Sequence, residues 1–197
     1  RILANVADNL SDNVTVHLDG VFDWTELNAA ADWAVGNDGL VDGSYLDDYA
    51  LRMPGDISGV TWTTETLGDA TIQGPGDLPT VDLEGTFYFD SSGDNKNWEI
   101  SKLEIFDFDL GIGMFFGAAG VDAFDNMKIL GNHILLPTDL NDVDNPNDAF
   151  QNIGIHLGFG ANQLIQGNTI DIPGDGWSND ANDGTSASVA LQSNTSG

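Results

Sequence analysis

The sequence has no cysteine, few basic residues and no long apolar run. Its 197 residues include five Lys and Arg against 32 Asp and Glu, so the formal net charge is -27. Nucleic-acid phosphates and anionic membrane surfaces repel such a polyanion, which argues against both as partners. The absence of cysteine excludes a disulfide scaffold and thiolate metal ligands. No apolar run approaches the roughly 20 residues of a membrane-spanning helix, so membrane insertion is not expected.

Glutamate is also scarce, since only five of the 32 acidic residues are Glu and 27 are Asp. Asp and Gly favour turns, whereas Glu and Lys are typical of helix surfaces. The chain has 24 Gly residues, and 41% of its residues are apolar, which is enough to bury one core. The composition therefore predicts many tight turns, short strands and little helix.

Three segments in the second half of the chain follow one template of Asn and Ile. The copies consist of Asn97, Ile100, Leu103 and Ile105, of Asn126, Ile129, Asn132 and Ile134, and of Asn162, Ile165, Asn168 and Ile170. Each copy predicts a short strand, a bend and a second short strand. After the first copy the apolar residues change parity, at Phe106, Phe108 and Leu110, which leaves the register there open.

A second family of strands is predicted between these copies, over residues 112–115, 153–156 and 189–192. The step from Ile129 to Ile165 is 36 residues, and the step from Ile153 to Val189 is the same. Two strand families that advance together, with variable loops between them, indicate a chain wound many times around one core.

Asparagine recurs at the bend of the second and third copies, as Asn132 and Asn168. Side-chain amides on successive turns can bond one another and satisfy buried polar groups. We therefore predict a structural ladder of Asn132 and Asn168. The ladder is short, because the first copy has Leu103 at that place.

The strings Gly131-Asn132-His133-Ile134 and Gly167-Asn168-Thr169-Ile170 resemble the repeats of right-handed parallel β-helix proteins of the pectate-lyase-like and carbohydrate-binding, NosD-like families. The likeness covers roughly residue 70 to the C-terminus. Large bacterial surface proteins with this repeat also look similar in the opening strand, over residues 14–20. The resemblance implies an all-β fold, a right-handed parallel β-helix, and contact with polysaccharides.

Residues 1–57 do not match the repeat. An Ala-rich stretch over residues 26–35 follows Thr25 and ends at a Gly-Asn-Asp-Gly string, which makes it the best helix candidate. Solenoid ends need a cap because they would expose core and strand edges. We predict an N-terminal strand and capping element with a short helix over residues 1–57, and β-helix turns over residues 58–197.

The 36-residue step places the next Ile of the template near position 201, beyond the last residue. We therefore expect the chain to stop partway through a turn, as the N-terminal piece of a longer β-helix.

Catalytic machinery is poorly supported by the sequence. β-Elimination of uronates needs a basic residue, and only Lys102 and Lys128 lie on predicted repeat strands, where solvent exposure explains them. Glycoside hydrolysis needs two carboxylates, which Glu104 with Asp107 and Asp109 could supply. With 32 acidic residues such neighbours arise by chance. We predict no catalytic residue in this sequence, and the sequence favours a protein that is not an enzyme.

The three histidines have no short metal-ligand spacing, and each lies in an alternating strand. They are His17, His133 and His156. We expect all three to face solvent.

Calcium is the cofactor that the loops favour, because Ca²⁺ takes several oxygens from one flexible loop. Loops rich in Asp and Asn occur at residues 90–94, 139–148 and 180–184, although none has the Gly and Glu of an EF-hand. We predict weak Ca²⁺ binding by Asp139, Asn141, Asp142 and Asp144. A solvated polar loop is the competing interpretation.

Aromatic rings offer flat surfaces on which sugars can stack, and Trp177 lies in a polar loop at residues 176–180. We predict that Trp177 contacts glycans. Core or cap packing accounts for most of the other aromatic residues, although Phe106 and Phe108 belong to a cluster that looks exposed in the sequence.

A long rigid coil with few cations suits display better than chemistry. We predict the N-terminal part of an extracellular or cell-surface protein with a structural or adhesive role, in contact with polysaccharide, matrix or copies of itself. One alternative is a polysaccharide lyase or glycoside hydrolase with its active site on later turns. Another is a self-associating filament subunit whose open turn pairs with another chain.

Overall fold

The structure is a computed structural model that describes residues 13–23, 49–53, 58–74, 85–89, 96–108, 110–113, 125–137, 153–158, 160–171 and 187–191. These ranges contain strands and no helix, which is compatible with the predicted all-β class. The helix expected over residues 26–35 lies outside them and stays a prediction.

Fifteen strands occur in the described ranges. They are β1 (Val14–His17), β2 (Gly20–Asp23), β3 (Tyr49–Met53), β4 (Val60–Thr63), β5 (Ala70–Gln73), β6 (Gly85–Phe89), β7 (Glu99–Ser101), β8 (Glu104–Phe106), β9 (Leu110–Gly113), β10 (Lys128–Leu130), β11 (His133–Leu135), β12 (Ile153–Leu157), β13 (Leu164–Gln166), β14 (Thr169–Asp171) and β15 (Ala187–Leu191).

Successive strands belong in rotation to three parallel, five-stranded sheets. The first sheet has the order β1-β4-β7-β10-β13, the second β14-β11-β8-β5-β2, and the third β15-β12-β9-β6-β3. Parallel neighbours cannot be joined by a tight hairpin, and here the chain passes through the other two sheets before it returns. One passage through the three sheets is called a round, so that β1 to β3 form round one and β13 to β15 form round five.

Inward side chains of the first two sheets are aligned across the rounds. The first-sheet row is Val16, Trp62, Ile100, Ile129 and Ile165. The second-sheet row is Phe22, Ile72, Ile105, Ile134 and Ile170. The two rows belong to one core, in which the members of rounds two to four are at most 2% exposed. The register predicted from the template is thereby confirmed in both sheets, and each buried side chain contributes about 1.5–3 kcal/mol.

The third sheet has a different register from the predicted one. Ile155 pairs with Val189, and Ile153 pairs with Ala187. The predicted correspondence of Ile153 with Val189 is therefore wrong by two residues. Side chains of a strand alternate with a period of two, so a shift of two residues keeps the same residues on the same face. The hydrophobic pattern therefore does not distinguish the two registers.

Asp107 decides the register that the sequence left open after Ile105. Its φ of 58° is left-handed, so the chain bends there and the alternation restarts. Phe106 stays on the outer face of β8, half-buried, whereas Phe108 is 1% exposed and belongs to the core. A Cβ on Gly74 would overlap the carbonyl of Asp107, so the neighbouring round requires glycine at this bend.

Strands of all three sheets also occur before residue 58. Val14 lies opposite Val60 in the first sheet, and β2 and β3 pair with β5 and β6. Round one is therefore built on the same sheets as the later rounds. The division of the chain at residue 57 stays a prediction.

Candidate functional site

Asn132 and Asn168 lie at the corner between the first and second sheets. Each follows a left-handed glycine, Gly131 with φ 62° and Gly167 with φ 69°. Asn132 is 1% exposed and Asn168 is half-buried. A buried amide needs partners for its donors and its acceptor, and the neighbouring rounds supply them.

The two amides bond each other and the round before them. Asn132 Nδ2 donates to Asn168 Oδ1 at 2.9 Å and to the Ile100 carbonyl at 3.0 Å, while Asn132 Oδ1 accepts from the Leu103 N–H at 3.0 Å. Asn168 Oδ1 also accepts from the Asn132 N–H at 2.9 Å, and Asn168 Nδ2 donates to the Ile129 carbonyl at 2.8 Å. Each asparagine therefore satisfies backbone groups of the preceding round. These bonds give the corner a role in stabilising the fold rather than in binding or catalysis.

A second asparagine column, which was not predicted as a ladder, runs along the exposed corner before the first sheet. Asn97, Asn126 and Asn162 have φ of 59°, 60° and 57°. Asn126 Nδ2 donates to Asn97 Oδ1 at 2.9 Å, and Asn162 Nδ2 donates to Asn126 Oδ1 at 3.3 Å. Asparagine tolerates left-handed backbone better than most residues. The signal was present in the sequence, because these residues open the three copies of the template.

The outer face of the second sheet carries a row of polar contacts between side chains of successive rounds. His133 Nε2 lies 2.9 Å from Asp171 Oδ2, and His133 Nδ1 lies 3.9 Å from Glu104 Oε1. Thr71 Oγ1 donates to Glu104 Oε2 at 3.1 Å. This row links β5, β8, β11 and β14. One imidazole therefore lies between two carboxylates that belong to different rounds.

An aromatic ring lies beside this row. The rings of Phe106 and His133 meet edge to face, with centroids 5.4 Å apart and an interplanar angle of 81°. This geometry is favourable for aromatic pairs. Phe106 is half-buried and faces outward from the sheet. The described residues on the outer face of the second sheet thus include one aromatic ring, one imidazole and several hydrogen-bonding groups.

The carboxylates considered for glycoside hydrolysis have separate partners. Asp107 accepts from Gln73 Nε2, whereas Glu104 faces Thr71 and His133. Asp109 lies outside the described residues. Within the described ranges, no three His, Asp or Glu side chains are grouped as a metal site. Within the described residues, Glu104 and Asp107 therefore face different side chains and do not form one carboxylate pair.

The first sheet differs because one basic side chain, Lys128, lies on its outer face, and another, Lys102, lies at the bend that follows β7 and not on the predicted strand. Lys128 Nζ lies 3.7 Å from Glu99 Oε2, with half of the lysine side chain exposed. Lys102 Nζ donates to the Glu65 carbonyl at 3.2 Å. Exposed ion pairs of this kind contribute between zero and about 1 kcal/mol. Both lysines are exposed, as the sequence predicted.

The prediction that all three histidines face solvent is wrong for His156. His156 is 3% exposed, and every residue of β12 is buried. A strand covered on both faces has no polar side, so alternation along it does not reveal which way a residue points. Desolvation by burial lowers the pKa of His156 from the usual 6.5, because the charged imidazolium is disfavoured away from water.

The predicted calcium ligands Asp139, Asn141, Asp142 and Asp144 lie outside the described residues, as does Trp177. Their roles stay predictions.

Comparison with protein-family models, with curated proteins and with solved structures gives no match for this chain. The described part of the chain has no helix that is long and apolar enough to span a membrane.

Proposed function

We propose that the chain is a right-handed parallel β-helix and belongs to an extracellular or cell-surface protein with a structural or adhesive role. The observation that carries the proposal is the rotation of consecutive strands through three parallel sheets. Crossovers between parallel strands are right-handed in nearly all proteins, which supports the proposed hand. A crystal structure tests the winding, and sheets that do not enclose one core would contradict it.

A structural role is supported by the way in which rounds are joined. Four columns of contacts run from round to round: the two inward apolar rows, the buried ladder of Asn132 and Asn168, and the exposed asparagine column. Each round binds mainly its neighbours, and such proteins are rigid along their length and present long flat faces.

We infer that the glycan-contacting surface is the outer face of the second sheet, together with the loop that carries Trp177. Phe106 supplies an aromatic ring, and the row from Thr71 to Asp171 supplies hydrogen-bonding groups. No Lys or Arg lies on the described strands of this sheet. With a net charge of -27, the face suits neutral polysaccharides better than polyuronates.

A glycan panel with neutral and anionic oligosaccharides tests this surface. We expect binding to neutral members that weakens about tenfold or more in Phe106→Ala and Trp177→Ala, since each loses a stacking ring. Leu67→Ala is the matched control, because Leu67 is an exposed apolar residue outside the sheet. Binding that survives both aromatic substitutions would contradict the assignment, and release of reducing sugar or unsaturated uronate would favour the enzyme alternative.

We also propose weak Ca²⁺ binding by Asp139, Asn141, Asp142 and Asp144, supported by the density of oxygen ligands in that loop. Calorimetry should detect heat at millimolar Ca²⁺ and a raised unfolding temperature. Replacing Asp142 and Asp144 by Asn should abolish both effects. An unchanged unfolding temperature in the unsubstituted chain would count against the site.

A further inference from the structure

The ring of Phe106, assigned above to glycan stacking, lies half-buried on the outer face of the second sheet. Its neighbours in the same column are Gln73 on β5 and Leu135 on β11. A side chain on a strand has two common χ1 rotamers, so the backbone alone does not fix the direction of the ring. Ordering a mobile side chain on binding costs affinity, and a ring that is already fixed binds a sugar more tightly.

The contact that restricts the Phe106 ring comes from His133 on the next strand. The two rings meet edge to face, with centroids 5.4 Å apart and an interplanar angle of 81°. Aromatic pairs favour this arrangement, and its energy depends on the angle between the rings. The orientation of Phe106 is therefore tied to the orientation of the imidazole.

The imidazole is itself oriented by a hydrogen bond from the following round. His133 Nε2 lies 2.9 Å from Asp171 Oδ2, and an ionised carboxylate only accepts hydrogen bonds, so Nε2 is the donor. On the other side, His133 Nδ1 lies 3.9 Å from Glu104 Oε1, which is too long for a hydrogen bond. Asp171 therefore supplies the bond that sets the plane of the His133 ring.

We propose that Asp171 and His133 are positioning residues of the glycan-contacting face. Asp171 orients the imidazole, and the imidazole holds the Phe106 ring in the orientation that stacks on a sugar. This role rests on the proposed function, since it takes the ligand of Phe106 to be a neutral polysaccharide. Phe106, His133 and Asp171 lie in rounds three, four and five. A carboxylate two rounds away thus sets the stacking ring.

NMR of the full chain, with labelled Phe and His rings, tests the positioning without any glycan. We expect a nuclear Overhauser contact between Phe106 and His133 in the unsubstituted chain and in Asp171→Asn, whose side-chain oxygen still accepts from Nε2. The contact should weaken in Asp171→Ala. Asp19→Ala is the matched control, because it also removes an exposed carboxylate, immediately before β2, and it should keep the contact. Equal contact intensity in Asp171→Ala and the unsubstituted chain would overturn the proposal.

Titration with a neutral oligosaccharide tests the consequence for binding. Asp171→Ala should weaken binding about threefold to tenfold, which is the cost of ordering a mobile side chain. Asp171→Asn and Asp19→Ala should bind like the unsubstituted chain. In a Phe106→Ala background, Asp171→Ala should cause no further loss, because Asp171 acts through the ring. A further loss of the same size would show that Asp171 contacts the glycan itself, and the positioning role would be wrong.

The two measurements separate the positioning role from the proposed function. If no neutral oligosaccharide binds the unsubstituted chain, the proposed glycan contact is wrong, whereas the ring contact in Asp171→Ala still decides whether Asp171 orients His133 and Phe106. If an oligosaccharide binds the unsubstituted chain and Asp171→Ala equally well, the glycan contact stands and the positioning role is overturned.

Discussion

Two asparagine columns run across the rounds of this protein, and their surroundings differ. At the corner between the first and second sheets, here called the inner corner, Asn132 is 1% exposed and its amide satisfies backbone groups of the preceding round. At the exposed corner before the first sheet, here called the outer corner, Asn126 is exposed and its side chain bonds to Asn97 and Asn162. The same side chain therefore has two roles: satisfying buried backbone groups in one column, and allowing a left-handed bend in the other.

The largest decrease in the free energy of unfolding is expected from a substitution at the inner corner. Asn132→Ala removes the partner of the Leu103 N–H and of the Ile100 carbonyl, in a place that water does not reach. We expect the free energy of unfolding to fall by about 2–4 kcal/mol, measured by urea denaturation. A loss below about 1 kcal/mol would mean that the buried amide does not stabilise the corner.

The next effect is expected at Asn168, which makes similar bonds but is half-buried. Asn168→Ala removes the partner of the Asn132 N–H and of the Ile129 carbonyl. Water can replace part of what is lost, so we expect a decrease of about 1–2 kcal/mol in the same assay. A cost equal to that of Asn132→Ala would contradict the dependence on burial.

A smaller effect with a different cause is expected at the outer corner. Asn126→Ala should cost about 1 kcal/mol, because alanine is strained at a φ of 60°. Asn126→Gly is the matched control and should change stability by no more than about 0.5 kcal/mol. Gly59, with φ 74°, precedes the first sheet in round two and shows that glycine suits this corner. If both variants lose the same free energy, the amide bonds and not the backbone bend stabilise this column.

The smallest effect on the free energy of unfolding at neutral pH is expected from the protonation of His156, a buried polar group of the third sheet. Its pKa is lowered in the folded protein, so below pH 6.5 the unfolded chain binds more protons than the folded one. The free energy of unfolding is therefore not reduced by this group above pH 6.5. It decreases as the pH falls from 6.5 toward the pKa that His156 has in the folded protein.

Urea denaturation of wild type and His156→Gln over this pH range measures the contribution of His156. The dependence of unfolding free energy on pH should be flatter in His156→Gln than in wild type. Leu67→Ala serves as the control, because it removes no titrating group. Parallel pH curves for His156→Gln and wild type would contradict the assignment.

The register of the first two sheets could be predicted because each copy of the template repeats the inward residues of two sheets together. Ile129 and Ile165, and likewise Ile134 and Ile170, mark both strands of a round with one bend of constant length between them. The third sheet lacked this constraint. Variable loops precede its strands, and a shift of two residues between Ile153 and Val189 preserves the apolar face.

The candidate surface could be predicted only in part. The sequence indicated the ladder of Asn132 and Asn168, because a Gly-Asn pair recurs at the same place in rounds four and five. It did not bring His133 together with Glu104 and Asp171, since these residues come from three rounds and meet only through the register of the second sheet. Local patterns do not contain contacts between residues that are 29 to 38 positions apart.

The sequence by itself determined the inward residues of the first two sheets and the Gly-Asn bends between them, because alternation, glycine and asparagine act on the local backbone. The tertiary structure decided which of those residues are buried. His156 is covered because both faces of β12 are packed, and Phe108 is covered because one left-handed residue, Asp107, restarts the alternation. Burial is set by neighbouring rounds, and so is the difference between an asparagine that satisfies the core and one that only allows a bend.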